Sequence, residues 1–248
     1  MSSLVTALGL SLLGSFGGLL VASTLLLFHH DLRSRLVPWL VSYAVGALLG
    51  VALLELIPEA LAEISPVAAL GSLLAGILVF FMLEKVVLLR HCHANHCPTH
   101  GAAAPLVILG DAFHNFIDGA IIAAAVLTSV PLGVKTATAV AAHEVPQEVG
   151  DIAILLSAGY SRRRALLLNI ASGGAGIAGA LLGFVAVQAL PYARPYVLAF
   201  SSASMIYIAM SDLIPDLHRG SVDRGSLRQV LLIMCGIGTV VAFERVIG

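Results

Sequence analysis

The sequence predicts an all-α, polytopic membrane protein with eight transmembrane helices, and three observations carry that prediction. Of 248 residues, 59% are hydrophobic and only 11% charged, against about 45–50% and about 25% in an ordinary soluble domain. The apolar residues run in eight blocks, each close to the ~20 residues that a helix needs to cross ~30 Å of hydrocarbon. Lys and Arg gather in alternate connections between the blocks, the asymmetry expected of cytoplasmic loops. The same figures exclude a soluble globular enzyme, a disordered chain and a nucleic-acid-binding module. A net charge of −1 offers no basic field to phosphate.

The eight blocks are residues 4–28, 38–62, 66–89, 102–129, 132–158, 163–189, 196–217 and 227–247. They make a single transmembrane domain over 1–248, and no stretch resembles a separate soluble unit. The first block reads as a spanning helix rather than a secretory signal. No basic segment precedes it, and the run from Leu4 to Phe28 exceeds a signal's apolar core. Three cysteines cannot form a disulfide framework.

Of the 13 Lys and Arg residues, Arg33, Arg35, Lys85, Arg90, Arg162, Arg163, Arg164, Arg219, Arg224 and Arg228 fall in the odd-numbered connections. Only Lys135, Arg194 and Arg245 fall on the opposite side. This split puts the odd connections in the cytoplasm and both termini outside it, in a plasma (inner) membrane.

Helix two contains Glu55-Leu56-Ile57-Pro58-Glu59, and helix seven contains Asp212-Leu213-Ile214-Pro215-Asp216. The same acid-Leu-Ile-Pro-acid pattern thus occurs in helices crossing in opposite directions. Counted from the two ends, helix two corresponds to helix seven, with helices four and five in the middle. An inverted 3+2+3 repeat leaves this trace, and such repeats place a binding site near the midplane at their interface.

Helices four and five hold Asp111, His114, Asp118, His143, Glu144, Glu148 and Asp151. A charge at mid-bilayer costs about 2.5–3.5 kcal/mol on insertion scales, so a bound cation is the simplest compensation. His114 and Asp118 lie four apart on one helix face with Asn115 beside them, and His143–Gln147 and Glu144–Glu148 repeat that spacing. Pro146 removes a backbone hydrogen bond among these residues. Nitrogen and oxygen donors without thiolate suit Zn, Fe, Mn, Co or Cd better than Cu(I). Two such helices can enclose one or two divalent ions.

His114-Asn115-Phe116-Ile117-Asp118-Gly119 followed by His143-Glu144-Val145-Pro146-Gln147-Glu148-Val149-Gly150-Asp151 resembles the ZIP (Zrt/Irt-like) family of divalent-metal transporters. It is most similar to the branch whose fifth helix reads His-Glu-x-Pro-His-Glu-x-Gly-Asp, and the likeness extends over essentially the whole chain. The resemblance implies that His114, Asn115 and Asp118 coordinate metal together with His143 and Glu144. Gln147 departs from the branch, which has His there, and a neutral amide oxygen is a weaker ligand. Some family members also supply a carboxylate from helix six, but residues 165–190 contain no acid, only Asn169, Ser172 and Gln188 as polar helpers. One tight site and at best a weak second one are expected.

Glu55, Asp111, Glu148, Asp151 and Asp212 are expected along the transport path. The cytoplasmic loop over 91–100 carries His91, Cys92, His93, His96, Cys97 and His100, a composition typical of metal-binding tracts and expected to accept metal. The function expected is secondary transport of a divalent transition metal, Zn2+ foremost, toward the cytoplasm. The metal is substrate rather than cofactor. The partners are the metal ion and the lipid bilayer, with room for a homodimer. The alternative is an intramembrane zinc metalloprotease using His143-Glu144, which open like His-Glu-x-x-His. Gln147 stands where that motif needs its second imidazole.

Overall fold

A computed structural model of the chain describes residues 3–25, 27–28, 30–89, 100–218 and 224–247. Among them every long element is helical. In chain order these are α1 (Ser3–Leu25), α2 (His30–Val51), α3 (Ile57–Glu63), α4 (Pro66–Leu89), α5 (His100–Thr128), α6 (Val130–Ser157), α7 (Arg162–Ala189), α8 (Arg194–Tyr207), α9 (Ile214–His218) and α10 (Arg224–Ile247). A π-helical segment, Ala52–Leu56, joins α2 to α3, and a second, Ile208–Leu213, joins α8 to α9. The helices therefore form eight continuous rods among the described residues. The second begins at His30, eight residues before the expected block, because the helix runs through Pro38 into the charged turn.

Both π segments sit at the acid-Leu-Ile-Pro pattern. Ile57 N–H bonds to the carbonyl of Ala52, and Ile214 N–H to that of Ala209, each reaching back five residues instead of four. The proline that comes next in each case, Pro58 or Pro215, has no N–H to give and its ring presses on the preceding turn. Widening that turn relieves the clash, a known cause of π-bulges and helix irregularity. One extra residue also rotates the side chains that follow it by about 100° relative to an unbroken α-helix.

The tight connections are capped by short polar side chains. Ser65, Ser129 and Ser161 accept from the backbone N–H groups of Ala68, Leu132 and Arg164 at 3.3, 3.2 and 3.3 Å, each occupying a donor that a helix N-terminus leaves without an intrahelical partner. α6 ends at Gly159, whose φ of +87° is open to glycine at no steric cost. Tyr160 N–H then bonds to Leu155 O and Gly159 N–H to Leu156 O, the paired bonds of a Schellman stop.

Five helical stretches are long and apolar enough to cross a membrane by length and composition: Ser3–Thr24, Arg35–Glu63, Pro66–Leu83, Ile108–Thr128 and Arg162–Ala189. α6 is not among them, because Lys135, Glu144, Glu148 and Asp151 dilute its hydropathy. The outward faces of α1, α4, α7 and α10 expose Leu13, Leu20, Leu74, Leu78, Leu182 and Val230, as a lipid-facing surface does. Inside, α5 packs most extensively on α7, while α1 lies across α5, α6 and α7. α2 packs on α10, and α4 on α8. Contacts of α2 with α6 and of α5 with α8 join these two groups.

Candidate metal centre

The polar side chains of α5 and α6 meet in the interior of the α1–α5–α6–α7 group. On α5, Asp111, Asn115 and Asp118 recur at helical spacing and are 4%, 0% and 1% exposed. On α6, Glu144 and Glu148 are fully buried and His143 nearly so. Glycines make the room. A Cβ at Gly18 of α1 would collide with the side chain of Glu144, and one at Gly176 of α7 would crowd Ser15 and the carbonyl of Asn115. Backbones of α1 and α7 thus close around the cluster.

His114 Nε2 lies 2.9 Å from His143 Nε2 and 3.4 Å from Asp118 Oδ2. His143 Nε2 lies 3.1 Å from Asp118 Oδ2 and 3.6 Å from Glu144 Oε1, and His114 Nε2 is 3.7 Å from the same Glu144 oxygen. The donor atoms of His114, Asp118, His143 and Glu144 all fall within 4.8 Å of one another. Zinc bonds of about 2.0–2.2 Å in a tetrahedron place neighbouring donors about 3.3–3.6 Å apart, so this spacing could hold such an ion.

The chemistry of the donor set agrees. His143 Nδ1 is 3.2 Å from the carbonyl of Ala139, a pure acceptor, so Nδ1 carries the proton and Nε2 presents a lone pair to the cluster. Among the described residues, none donates a hydrogen bond to either carboxylate oxygen of Glu144 or of Glu148. Buried carboxylates without donors are costly, and a divalent cation offsets that cost directly.

A second group of oxygens adjoins the first. Asp111, Glu144 and Glu148 each offer an oxygen within 4.8 Å of the others, sharing Glu144 with the first cluster. Asp151, 9% exposed, comes next on α6. Gln147 donates through Nε2 to Asp111 Oδ1 at 2.9 Å. Ser172 of α7 donates to Asp111 Oδ2, Asn169 is buried and donates to Ala165 O at 2.8 Å, and Gln188 is exposed.

Glu55 lies apart, in the π segment between α2 and α3, where Lys135 of α6 donates to its two oxygens at 3.0 and 2.9 Å. Counted in the sequence with the external connections, Lys135 is instead inside α6 and 4% exposed. A lysine two helical turns before His143, within an apolar run, was the available signal, since intramembrane charges come with partners. Asp212 lies in the second π segment, its side chain outside the described residues. His91, Cys92, His93, His96 and Cys97 lie outside them altogether, as does the side chain of His100 at the start of α5.

Against this geometry stand the comparisons with known proteins. The sequence matches the ZIP zinc transporter family over residues 89–244. The chain belongs to that family. It is 35% identical over 234 residues to zinc transporter ZIP13 of Pongo abelii, covering 86% of this chain and 70% of that protein. It is 32% identical over 273 residues to zinc transporter ZIP13 of Homo sapiens, covering 86% and 73%. With zinc transporter YKE4 of Saccharomyces cerevisiae it shares 28% identity over 230 residues, covering 81% and 66%. Members of the ZIP family are transporters and not enzymes, and with its apolar helices the chain is a multi-pass membrane protein. The protease alternative has no support: position 147 offers an amide engaged with Asp111, and the two clustered imidazoles come from different helices.

Proposed function

We propose that the chain carries divalent transition-metal ions, Zn2+ foremost and Cd2+, Fe2+, Mn2+ or Co2+ as further substrates, across a plasma (inner) membrane toward the cytoplasm. The observation that carries this reading is the donor set of half-buried His114 with buried Asp118, His143 and Glu144, within 4.8 Å of one another on two neighbouring helices. A hydrated ion exchanges waters for these side chains and for the amide oxygen of Asn115. It then passes to Glu148 and Asp151, whose burial beside the first cluster makes them a second stop. Gln147 contributes only its amide.

Eight spans with both termini outside are supported by the eight rods and the distribution of Lys and Arg. The paired π segments, each just ahead of an Ile-Pro step, support an inverted 3+2+3 repeat with α5 and α6 at its centre. Glu55 and Asp212 then occupy equivalent places along the path, and the segment 91–100 accepts metal on the cytoplasmic side. A homodimer is compatible with this arrangement.

The test is metal-dependent uptake into proteoliposomes across Zn2+, Cd2+, Mn2+, Fe2+ and Co2+, with His143→Ala and Asp118→Ala alongside. Each variant should reach the membrane and lose uptake to background. Near-normal flux in either would overturn the assignment.

A further inference from the structure

Asp111 sits beside the donor cluster, yet its bonds run to amides and a hydroxyl. Its Oδ1 accepts from Asn115 Nδ2 at 3.0 Å and from Gln147 Nε2 at 2.9 Å, and its Oδ2 accepts from Ser172 Oγ. Asn115 Nδ2 also reaches the backbone carbonyl of Asp111 at 3.3 Å. A carboxylate offers about four lone-pair directions, so donors from α5, α6 and α7 take most of them. Little of this carboxylate is left for a metal.

An amide binds a cation through its oxygen only, because its NH2 end carries no available lone pair and points hydrogens outward. Which end faces the metal therefore decides whether Asn115 or Gln147 helps or hinders. Turning Asn115 over would set its oxygen against two acceptors, the carbonyl and the carboxylate of Asp111. The nitrogen must face Asp111, and the oxygen faces the other way. That oxygen is buried, in a residue 0% exposed, and among the described residues none donates to it. Asn115 stands on α5 directly beside His114 and one turn before Asp118, and Gln147 stands one turn beyond His143 and Glu144. Both amides thus neighbour cluster residues along their helices, and both nitrogens are tied to one carboxylate, that of Asp111.

We infer that Asp111 is a positioning residue for metal binding: by holding the amide nitrogens of Asn115 and Gln147, it turns both amide oxygens toward the ion. This explains how the chain uses glutamine at position 147, where a freely rotating amide would have to give up its conformational freedom on binding to present its oxygen. Ser172 of α7 completes the mounting by fixing the second oxygen of Asp111. The inference rests on the cluster being the metal site.

The test is a thermodynamic cycle on zinc affinity, read by competition with a chromogenic chelator on the full-length protein in detergent. Asp111→Asn keeps the shape of the side chain but weakens its hold on both amides, and zinc affinity should fall about 10–100-fold, as for other groups that orient ligands. Asn115→Ala with Gln147→Ala should lose a similar factor. Adding Asp111→Asn to that pair should then change affinity by less than about twofold, because residues acting through one another are not additive. The visible spectrum of the Co2+-loaded Asp111→Asn protein, which reports the donor set, should shift as it does in the amide double variant.

Full additivity in the triple variant, or an unaltered Co2+ spectrum, would overturn the inference. Should Asp111→Asn not fold, Ser172→Ala goes through the same cycle. A several-fold loss must disappear once both amides are alanine, and a loss that persists overturns the inference equally. His143→Ala separates this from the underlying reading. If that variant binds zinc normally, the site itself is wrong; if it does not and Asp111 is additive, only the positioning role falls.

Discussion

The two groups of helices meet the same demand by different means. Within α1, α5, α6 and α7, and again within α2–α3, α4, α8–α9 and α10, glycines let backbones touch. A Cβ at Gly179 of α7 would land on the carbonyl of Phe116 in α5, and one at Gly46 of α2 on the carbonyl of Ile233 in α10. Such approach is what association in lipid requires, because apolar side chains gain little by leaving acyl chains for one another. Beyond that the groups diverge. The first buries the histidine and carboxylate cluster. The second is tied by Tyr43 OH to Thr239 at 3.1 Å, by Phe80 tilted against Phe200 with ring centroids 5.5 Å apart, and by Arg194 with Glu63 near its edge. It also holds both π segments. Buried charge is thus concentrated in one body, while π-helical backbone is concentrated in the other.

Lys135 and Glu55 bridge the two bodies, and breaking that bridge should have the largest effect on the fold. Lys135→Met leaves the carboxylate of Glu55 facing a thioether with both side chains largely buried, 3% and 14% exposed. Removing one partner of a buried pair costs about 3–5 kcal/mol, which should appear as a lower unfolding temperature in detergent. Lys135→Met combined with Glu55→Met should recover most of the loss, since an apolar pair needs no counter-charge. Arg194→Met, which breaks the more exposed pair with Glu63, should cost about 1 kcal/mol or less. Equal costs for the two single variants would show that the seam between the groups does not depend on this ion pair.

Helix type and approximate place were legible because hydrocarbon forces both: a block of about 20 apolar residues has few options but to be a helix. The facing residues of the site were legible for a related reason. His114 with Asp118, and His143 with Glu144, are too costly in lipid to be incidental, and the i, i+4 spacing of the first pair declares a common face. Hidden from the sequence were the pairings across helices. Nothing in one dimension says that Gln147 reaches Asp111, that Ser172 of α7 arrives at the same carboxylate, or that Lys135 folds back on Glu55 across 80 residues. The π segments were equally hidden. Ile-Pro announces a lost hydrogen bond, but whether the turn kinks or widens depends on the neighbours it packs against.

Substitutions at the glycine contacts sharpen the comparison furthest, because they separate stability from function. Gly179→Ala and Gly46→Ala each force a methyl onto a backbone carbonyl of the facing helix, and overpacking of this kind costs about 1–3 kcal/mol. The two should differ in their effect on zinc. Gly179 faces the turn of α5 that carries Asn115 and Asp118, so prising α5 from α7 should also weaken zinc binding several-fold. Gly46 packs on α10, which carries none of the donors, so its variant should lose thermal stability with zinc affinity unchanged. Gly174→Ala is the control: nothing lies within 4 Å of its added methyl, so its stability should stay within about 0.5 kcal/mol of the parent. Thermal unfolding and chelator competition on the three proteins read both quantities. If Gly46→Ala weakened zinc as much as Gly179→Ala, the division into a metal-bearing body and a framing body would have no energetic meaning.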